Sequence, residues 1–262
     1  MSGEPAFFSN LKKWGFRTEL KLIYSNTELF MKRLIICVFS VLTLSLSAKS
    51  QNLPNFRMNV TGGFGYFLNT EPNKGGTQLF IKNDDYKKYE QQLKWGPTLE
   101  GNIHYLLNSG LGFGAKFRYL TTDASKTDLL FEAEEHYGVI RVTEQNEIMF
   151  LAPSLIYARW LGPTGILLGT GALSVGYVYL ESSGEVDNSS AMFSGENIGF
   201  QVDLGVDYFL TRHLSIGLGT GYFYSKIKEV NINLSEKKTK LPENAQPNLS
   251  NLKLNLSLAI HF

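Results

Sequence analysis

From Asn251 to Phe262 the chain reads NLKLNLSLAIHF, with Leu252, Leu254, Leu256, Leu258, Ile260 and Phe262 at every even position. Side chains two residues apart share one face of a strand, so this segment is extended, with one apolar side and one polar or small side. A helix of period 3.6 would scatter those residues around its axis. The same alternation recurs upstream. Ile198, Phe200, Val202, Leu204, Val206, Tyr208 and Leu210 oppose Asn197, Gln201, Asp203 and Asp207. Leu111, Phe113, Ala115, Phe117 and Tyr119 oppose Gly112, Gly114, Lys116 and Arg118, and Trp95, Leu99, Ile103 and Tyr105 oppose Glu100, Asn102 and His104. Near Ile148 to Trp160 and Gly165 to Leu180 both faces are apolar, which leaves those two registers open.

Compact turns at Asn108-Ser109-Gly110, Leu161-Gly162-Pro163-Thr164 and Thr211-Arg212-His213 fall at intervals of roughly 50 residues. With Arg57 as the start and Phe262 as the end, they divide the chain into four out-and-back modules, hence about eight strands and no convincing helix. Polar connections at about 69–93, 122–145, 182–195 and 229–249 join the strands within each module. Short turns therefore alternate with long loops.

The N-terminal part has a different character. Met31-Lys32-Arg33, the apolar run Leu34 to Leu46 and the small residues Ala48 and Ser50 form a secretory signal peptide, 31–50, with cleavage expected between Ser50 and Gln51. Residues 1–30 are then expected to be upstream sequence translated from an early start codon, and 51–262 the folded domain. Cys37, the single cysteine, has only three apolar residues before it and reads as part of the signal, so the mature chain carries no thiol chemistry. No later run approaches the ~18 apolar residues of a spanning helix. With 25 Lys+Arg against 24 Asp+Glu there is no basic field to hold a nucleic acid.

A soluble sandwich or ligand-binding barrel would alternate too, with its apolar face inward. Three features point the other way. The polar faces carry Gly63, Gly65, Gly217, Gly219 and Gly221, where small residues suit a crowded interior better than a solvated surface. The apolar faces end in Trp95, Tyr119, Trp160, Tyr208, Tyr222, Tyr224 and Phe262, like the aromatic girdles at membrane interfaces. Loop lengths differ by side, as in barrels with short periplasmic turns and long external loops. The fold class read from these residues is all-β: an eight-stranded antiparallel up-and-down transmembrane β-barrel with short periplasmic turns and long extracellular loops.

The signal peptide, the eight strands and the terminal Phe262, with Ile260, Leu258 and Leu256 at alternate positions, resemble the small outer-membrane β-barrel superfamily, whose OmpX-like, OmpW-like and OmpA-like groups share this architecture. The resemblance implies residence in the outer membrane of a Gram-negative bacterium. It also implies that Leu256, Leu258, Ile260 and Phe262 serve as the signal read by the barrel-assembly machinery.

The expected lumen holds Arg57, Lys116, Arg118 and Lys253 against Glu100, Asp203 and Asp207, with His104, Gln201 and Asn255 nearby. An eight-stranded barrel is just wide enough for side chains to fill it, so these groups read as a structural ion-pair network. Glu100 and His104 lie ~13 Å apart along one strand face, too far for an acid/base pair. An Arg at Leu204, facing lipid at a cost of ~2–4 kcal/mol, is expected to be tolerated much worse than an Arg at Gln201, facing the lumen. Glu132, Glu134, Glu135 and His136 could bind a hard cation but read as a solvated loop. Gly169, Gly171 and Gly176 precede no helix and read as strand glycines rather than a phosphate loop. Of the histidines, His213 and His261 fall at the periplasmic end and only His136 is external, with no positioned nucleophile.

The function expected from the sequence is a non-enzymatic outer-membrane barrel with a side-chain-filled lumen and a structural or surface-interaction role, needing no cofactor and no metal. Its expected partners are outer-membrane lipid and lipopolysaccharide, the assembly machinery, and an extracellular partner at loops bearing Lys82, Asp84, Asp85, Lys87 and Lys88 or Lys237, Lys238 and Lys240; nucleic acid is not among them. The rival readings are a narrow transport barrel for a small apolar solute and a lipid-modifying enzyme.

Overall fold

The computed structural model describes residues 53–68, 88–89, 91–133, 136–186, 189–232 and 238–262. The expectations for residues 1–50, Gln51, Lys82, Asp84, Asp85, Lys87, Glu134, Glu135 and Lys237 lie outside the described residues. The strands are β1 (Phe56–Phe67), β2 (Trp95–Leu106), β3 (Leu111–Ala133), β4 (His136–Trp160), β5 (Leu167–Val186), β6 (Ser189–Phe209), β7 (Leu214–Ser225), β8 (Glu229–Ile232), β9 (Lys238–Lys240) and β10 (Asn251–His261). Consecutive strands from β1 to β7 pair antiparallel, β10 pairs with β7, and β10 pairs with β1, closing a ring of eight strands. The closing seam runs from Arg57 opposite His261 to Phe67 opposite Asn251, and Phe56 and Phe262 exchange backbone hydrogen bonds of 3.1 and 2.9 Å at its end. A closed sheet leaves no unpaired edge in the wall.

Period-two alternation sets the two faces of this wall. Leu204 and Leu256 point outward, 57% and 68% exposed, while Gln201 and Ser215 on the opposite parity are fully enclosed. Outward aromatics gather in two belts. Phe56 with Phe262 (6.1 Å) and Tyr105 with Phe113 (5.8 Å) lie toward the short turns, and Tyr66 with Trp95 (4.8 Å) and Phe200 with Tyr224 (5.4 Å) lie toward the long connections. Gly110 closes the first short turn at φ +85°, a conformation in which a Cβ would also sit 2.3 Å from the Ala158 carbonyl oxygen.

The structure revises several expectations. The segments 122–145 and 182–195 are not loops but continuations of strand: β3 and β4 stay paired up to Ala133 opposite His136, and β5 and β6 up to Val186 opposite Ser189. In 122–145, Thr122, Thr127, Val139, Ile140, Val142 and Thr143 support extended backbone however polar the segment is. The last connection is also ordered. β8 takes over the place of β7 beside β6, β9 pairs with β8, and Ile227 and Leu249 bond back to Pro247 and Ser225. A short helical stretch at 88–89 and 91–93 precedes β2, where no helix was expected. Trp160 belongs to the inward parity of β4 and stacks on Phe209 at 4.8 Å, so it is no part of the outward girdle.

The open registers of β4 and β5 are settled with even residues inward: Ile148, Phe150, Ala152, Ser154, Ile156 and Ala158 on β4, and Leu168, Ser174, Val178 and Leu180 on β5 are all buried. Between these strands the pairing passes from Leu151 opposite Tyr177 directly to Ser154 opposite Ser174. Pro153, which has no N–H to give, sits in that gap.

Candidate functional site

The lumen is layered along its axis. At the short-turn end Leu106, Ile156, Ala158 and Leu168 form a buried apolar cluster, joined by Leu53, Trp160, Ala172 and Phe209. His261 sits against it with its ring 4.5 Å from that of Phe209 and Nε2 2.8 Å from Ser215 Oγ, while His213 Nδ1 lies 2.9 Å from the His261 carbonyl oxygen. At the other end Phe67, Leu120, Ile148, Phe150, Val178, Leu180 and Phe223 from the wall meet Ile227, Val230 and Leu249 from the ordered last connection. Two apolar layers thus bracket a polar middle.

That middle brings the named charged residues together, but in two groups. Arg57 donates to Asp207 Oδ2 from Nη2 at 2.7 Å and from Nε at 3.2 Å. Separately, Glu100 and Asp203 are bridged by two ammonium groups. Lys116 Nζ lies 3.2 Å from Glu100 Oε2 and 2.5 Å from Asp203 Oδ2, and Lys253 Nζ contacts both oxygens of Glu100 and lies 2.7 Å from Asp203 Oδ1. Gln201 ties the carboxylates further, its amide donating to Glu100 at 3.2 Å and to Asp203 at 2.9 Å. Arg118 lies 3.5 Å from Glu100 through Nε and donates to Thr98, Gln201 and Asn251 at 3.3, 3.3 and 2.7 Å. Its guanidinium stacks 4.9 Å over the Phe223 ring, on the boundary with the outer apolar layer. These charges are buried except for Asp203, whose side chain is 16% exposed, and each is met by hydrogen bonds, which is the condition for tolerating them there.

Glycines on β7 make the room. A Cβ at Gly217 would lie 2.2 Å from Asp207 Oδ1, one at Gly219 2.5 Å from Asn255 Oδ1, and one at Gly221 2.4 Å from Asp203 Oδ1. Gln201 has no exposed surface and both amide atoms engaged. Leu204 outward and Gln201 inward are the placements that the expected contrast between Leu204→Arg and Gln201→Arg requires, and an Arg at Gln201 would enter a cluster of three cations on two carboxylates.

His104 stands apart from the ion pairs. Its Nε2 lies 3.0 Å from Ser154 Oγ, and Ser174 Oγ donates to Ser154 Oγ at 3.0 Å. Ser154 and Ser174 were invisible in the sequence because their neighbours Ala152, Ile156 and Ala172 are apolar. Thr98, Asn59 and Asn251 share parity with Glu100, Arg57 and Lys253, and that parity alone could have found them. Leu256, Leu258, Ile260 and Phe262 all project outward.

Outside the barrel, Tyr177 donates its hydroxyl to Glu196, and Lys238 of β9 donates to the same carboxylate. The Lys238 ammonium and the Tyr177 hydroxyl hold Glu196 below the usual carboxylate range. Among the described residues no cluster of three or more His, Cys, Asp or Glu could hold a metal ion.

The sequence profile described as outer membrane protein beta-barrel domain matches residues 36–262. No curated protein matches the chain. Among solved structures, Neisserial surface protein A is similar over 81% of this chain and 100% of that one, at 14% identity and a TM-score of 0.41. The outer membrane protease OmpT from Escherichia coli is similar over 83% and 100%, at 10% identity and 0.49. Ail, the attachment invasion locus protein of Yersinia pestis, is similar over 78% and 97%, at 11% identity and 0.37.

Proposed function

The chain belongs to the outer membrane protein beta-barrel domain family and resides in the outer membrane of a Gram-negative bacterium, and from that premise we propose that it is a closed, non-enzymatic barrel acting as a structural element and a surface-interaction platform. The observation that carries this reading is the pair of apolar layers across the lumen. A transport barrel needs a continuous polar or open path, and Phe150 and Phe223, 5.3 Å apart, stand across it. The serine–histidine pairs among the described lumen residues, Ser154 with His104 and Ser215 with His261, are enclosed at 3% exposure or less, and neither His104 Nδ1 nor His261 Nδ1 has a partner to orient the ring. The third member of a nucleophilic triad is therefore missing.

The external role rests on the extended hairpins. Past Leu120, β3 has no assigned partner on its β2 side among the described residues, so its outer part offers an open edge beyond the barrel wall. The purified protein refolded into planar bilayers is expected to show no resolved conductance steps, and steady single-channel openings would overturn the closed-barrel reading. We also propose that outer-membrane lipid and lipopolysaccharide contact the outward face and that the assembly machinery reads the terminal strand. Phe262, 64% exposed and outward, is the test: Phe262→Ala is expected to slow assembly in cells while leaving the stability of the refolded barrel nearly unchanged. Equal assembly rates would remove that role.

A further inference from the structure

Past the outer aromatic belt, β5, β6, β8 and β9 form a sheet with an outward face of its own. Tyr179 stands opposite Glu196, Ser194 opposite Asn231, and Glu229 and Asn231 opposite Lys240 and Lys238. Residues directly opposite one another share a face, so these side chains lie next to each other outside the barrel. Glu196 is four residues past Phe200 of the belt, ~13 Å along the strand at ~3.3 Å per residue. At that height the wall has left the hydrocarbon and stands among the headgroups of the outer leaflet.

This face holds a pocket of about 70 Å³ lined by Tyr179, Glu196, Glu229, Asn231 and Lys238, with the small Ser194 and Gly195 beneath. A water-sized occupant needs about 10–15 Å³ of such space, so roughly five to seven heavy atoms fit, the content of one sugar ring. The lining is already held in place. Tyr177 and Lys238 both donate to Glu196, and Tyr179 donates to Glu181 at 3.2 Å, which fixes its ring beside the pocket. Asn231 Oδ1 is buried and has no partner. Its amide turns about a soft terminal bond and can offer either its oxygen or its NH₂ to an occupant. Glu196 is paired with Lys238 and Glu229 stands opposite Lys240, so no unpaired charge calls for an ion. What remains is an aromatic ring surrounded by carboxylate, amide and ammonium groups. A pyranose matches that set: its C–H face packs on an aromatic ring, and its hydroxyls both donate and accept.

We infer that this pocket holds one sugar ring from the saccharide part of the outer-leaflet glycolipid. Tyr179 packs on the ring face, Glu196 and Glu229 accept from its hydroxyls, and Asn231 and Lys238 bind the hydroxyls that remain. A free glycan carries the same chemistry, and the height of the pocket above the belt selects the membrane-bound source. The inference rests on the proposed contact of lipopolysaccharide with the outward face and names the place where its sugar is held.

The refolded protein in detergent micelles is titrated with lipid-free oligosaccharide cleaved from lipopolysaccharide, followed by saturation-transfer NMR, and separately with intact lipopolysaccharide, followed by co-elution in gel filtration. The sugar ring protons are expected to receive saturation. Tyr179→Ala and Asn231→Ala are each expected to weaken oligosaccharide binding about tenfold, the loss of one stacking or hydrogen-bonding contact, while heat-dependent gel mobility is kept. Tyr179→Phe keeps the ring and is expected to bind nearly as the unaltered protein does. Oligosaccharide that binds the two alanine variants undiminished overturns the inference, as does its displacement by inorganic phosphate, which would assign the contact to surface lysines. A dextran oligomer that binds equally well would assign the pocket to free glycans and overturn the membrane source. If intact lipopolysaccharide co-elutes but the oligosaccharide does not bind, the pocket is wrong and the wall contact stands; if neither binds, the wall contact falls as well.

Discussion

Replacing Glu100 by Gln is expected to destabilise the barrel by about 3–5 kcal/mol, the usual cost of stripping one partner from a buried ion pair. Glu100 accepts from Lys116, Lys253 and Gln201 and faces Arg118, so this one carboxylate is the common counter-charge of three cations. The substitution keeps the side chain's shape and raises the imbalance of this cluster of three cations on two carboxylates by a further positive charge. Lys253→Met disrupts a comparable set of contacts but moves the cluster toward neutrality, so it is expected to cost clearly less. Urea unfolding from lipid vesicles measures both. If the two variants lose equal stability, lost hydrogen bonds govern the lumen and the charge argument is wrong.

Phe223→Ala is expected to cost about 3–5 kcal/mol, the range for truncating a buried phenylalanine. The ring is 1% exposed, stands edge-on to Phe150 and lies beneath the Arg118 guanidinium. Its removal opens a hole at the boundary between the outer apolar layer and the charged middle. Phe223→Leu keeps most of the volume and is expected to cost much less. The alanine variant is also expected to give small conductance steps that the unaltered barrel lacks. Unaltered stability would mean that the outer layer is not packed as described, and a silent but destabilised variant would place the seal elsewhere, at Ile227, Val230 and Leu249.

The parts of this fold that were legible in the sequence share one property, a polar inward face. In β2, β3, β6 and β10 the contrast between Glu100, Arg118, Asp203 or Lys253 and their apolar neighbours marks which side is which. β4 and β5 line both apolar layers, so Ile148, Phe150, Val178 and Leu180 point inward while Leu151, Leu155 and Leu173 point outward. Two apolar faces carry no register. Trp160 was misplaced for the same reason, since an inward aromatic in an apolar layer looks like an outward one in a girdle. The division of the charges into Arg57–Asp207 and the larger cluster depends on which strands face each other across the lumen, and alternation along single strands does not contain that. The outer hairpins were mistaken for loops because polarity was taken as irregularity, although Thr121, Thr122 and Thr143 suit paired strands.

The joining of β1 to β10 also imposes an order in time. The first strand made is held on one side by the last, and Glu100 waits for Lys253, 153 positions later in the chain, before its charge is fully met. Contacts so remote in sequence carry a large closure entropy and form slowly. A chain cut short before Asn251 would leave a curled sheet with two raw edges and a carboxylate short of a counter-ion. Completion is therefore close to all-or-none: the half-made chain has few stable resting points, and the finished one has no free end from which to unravel.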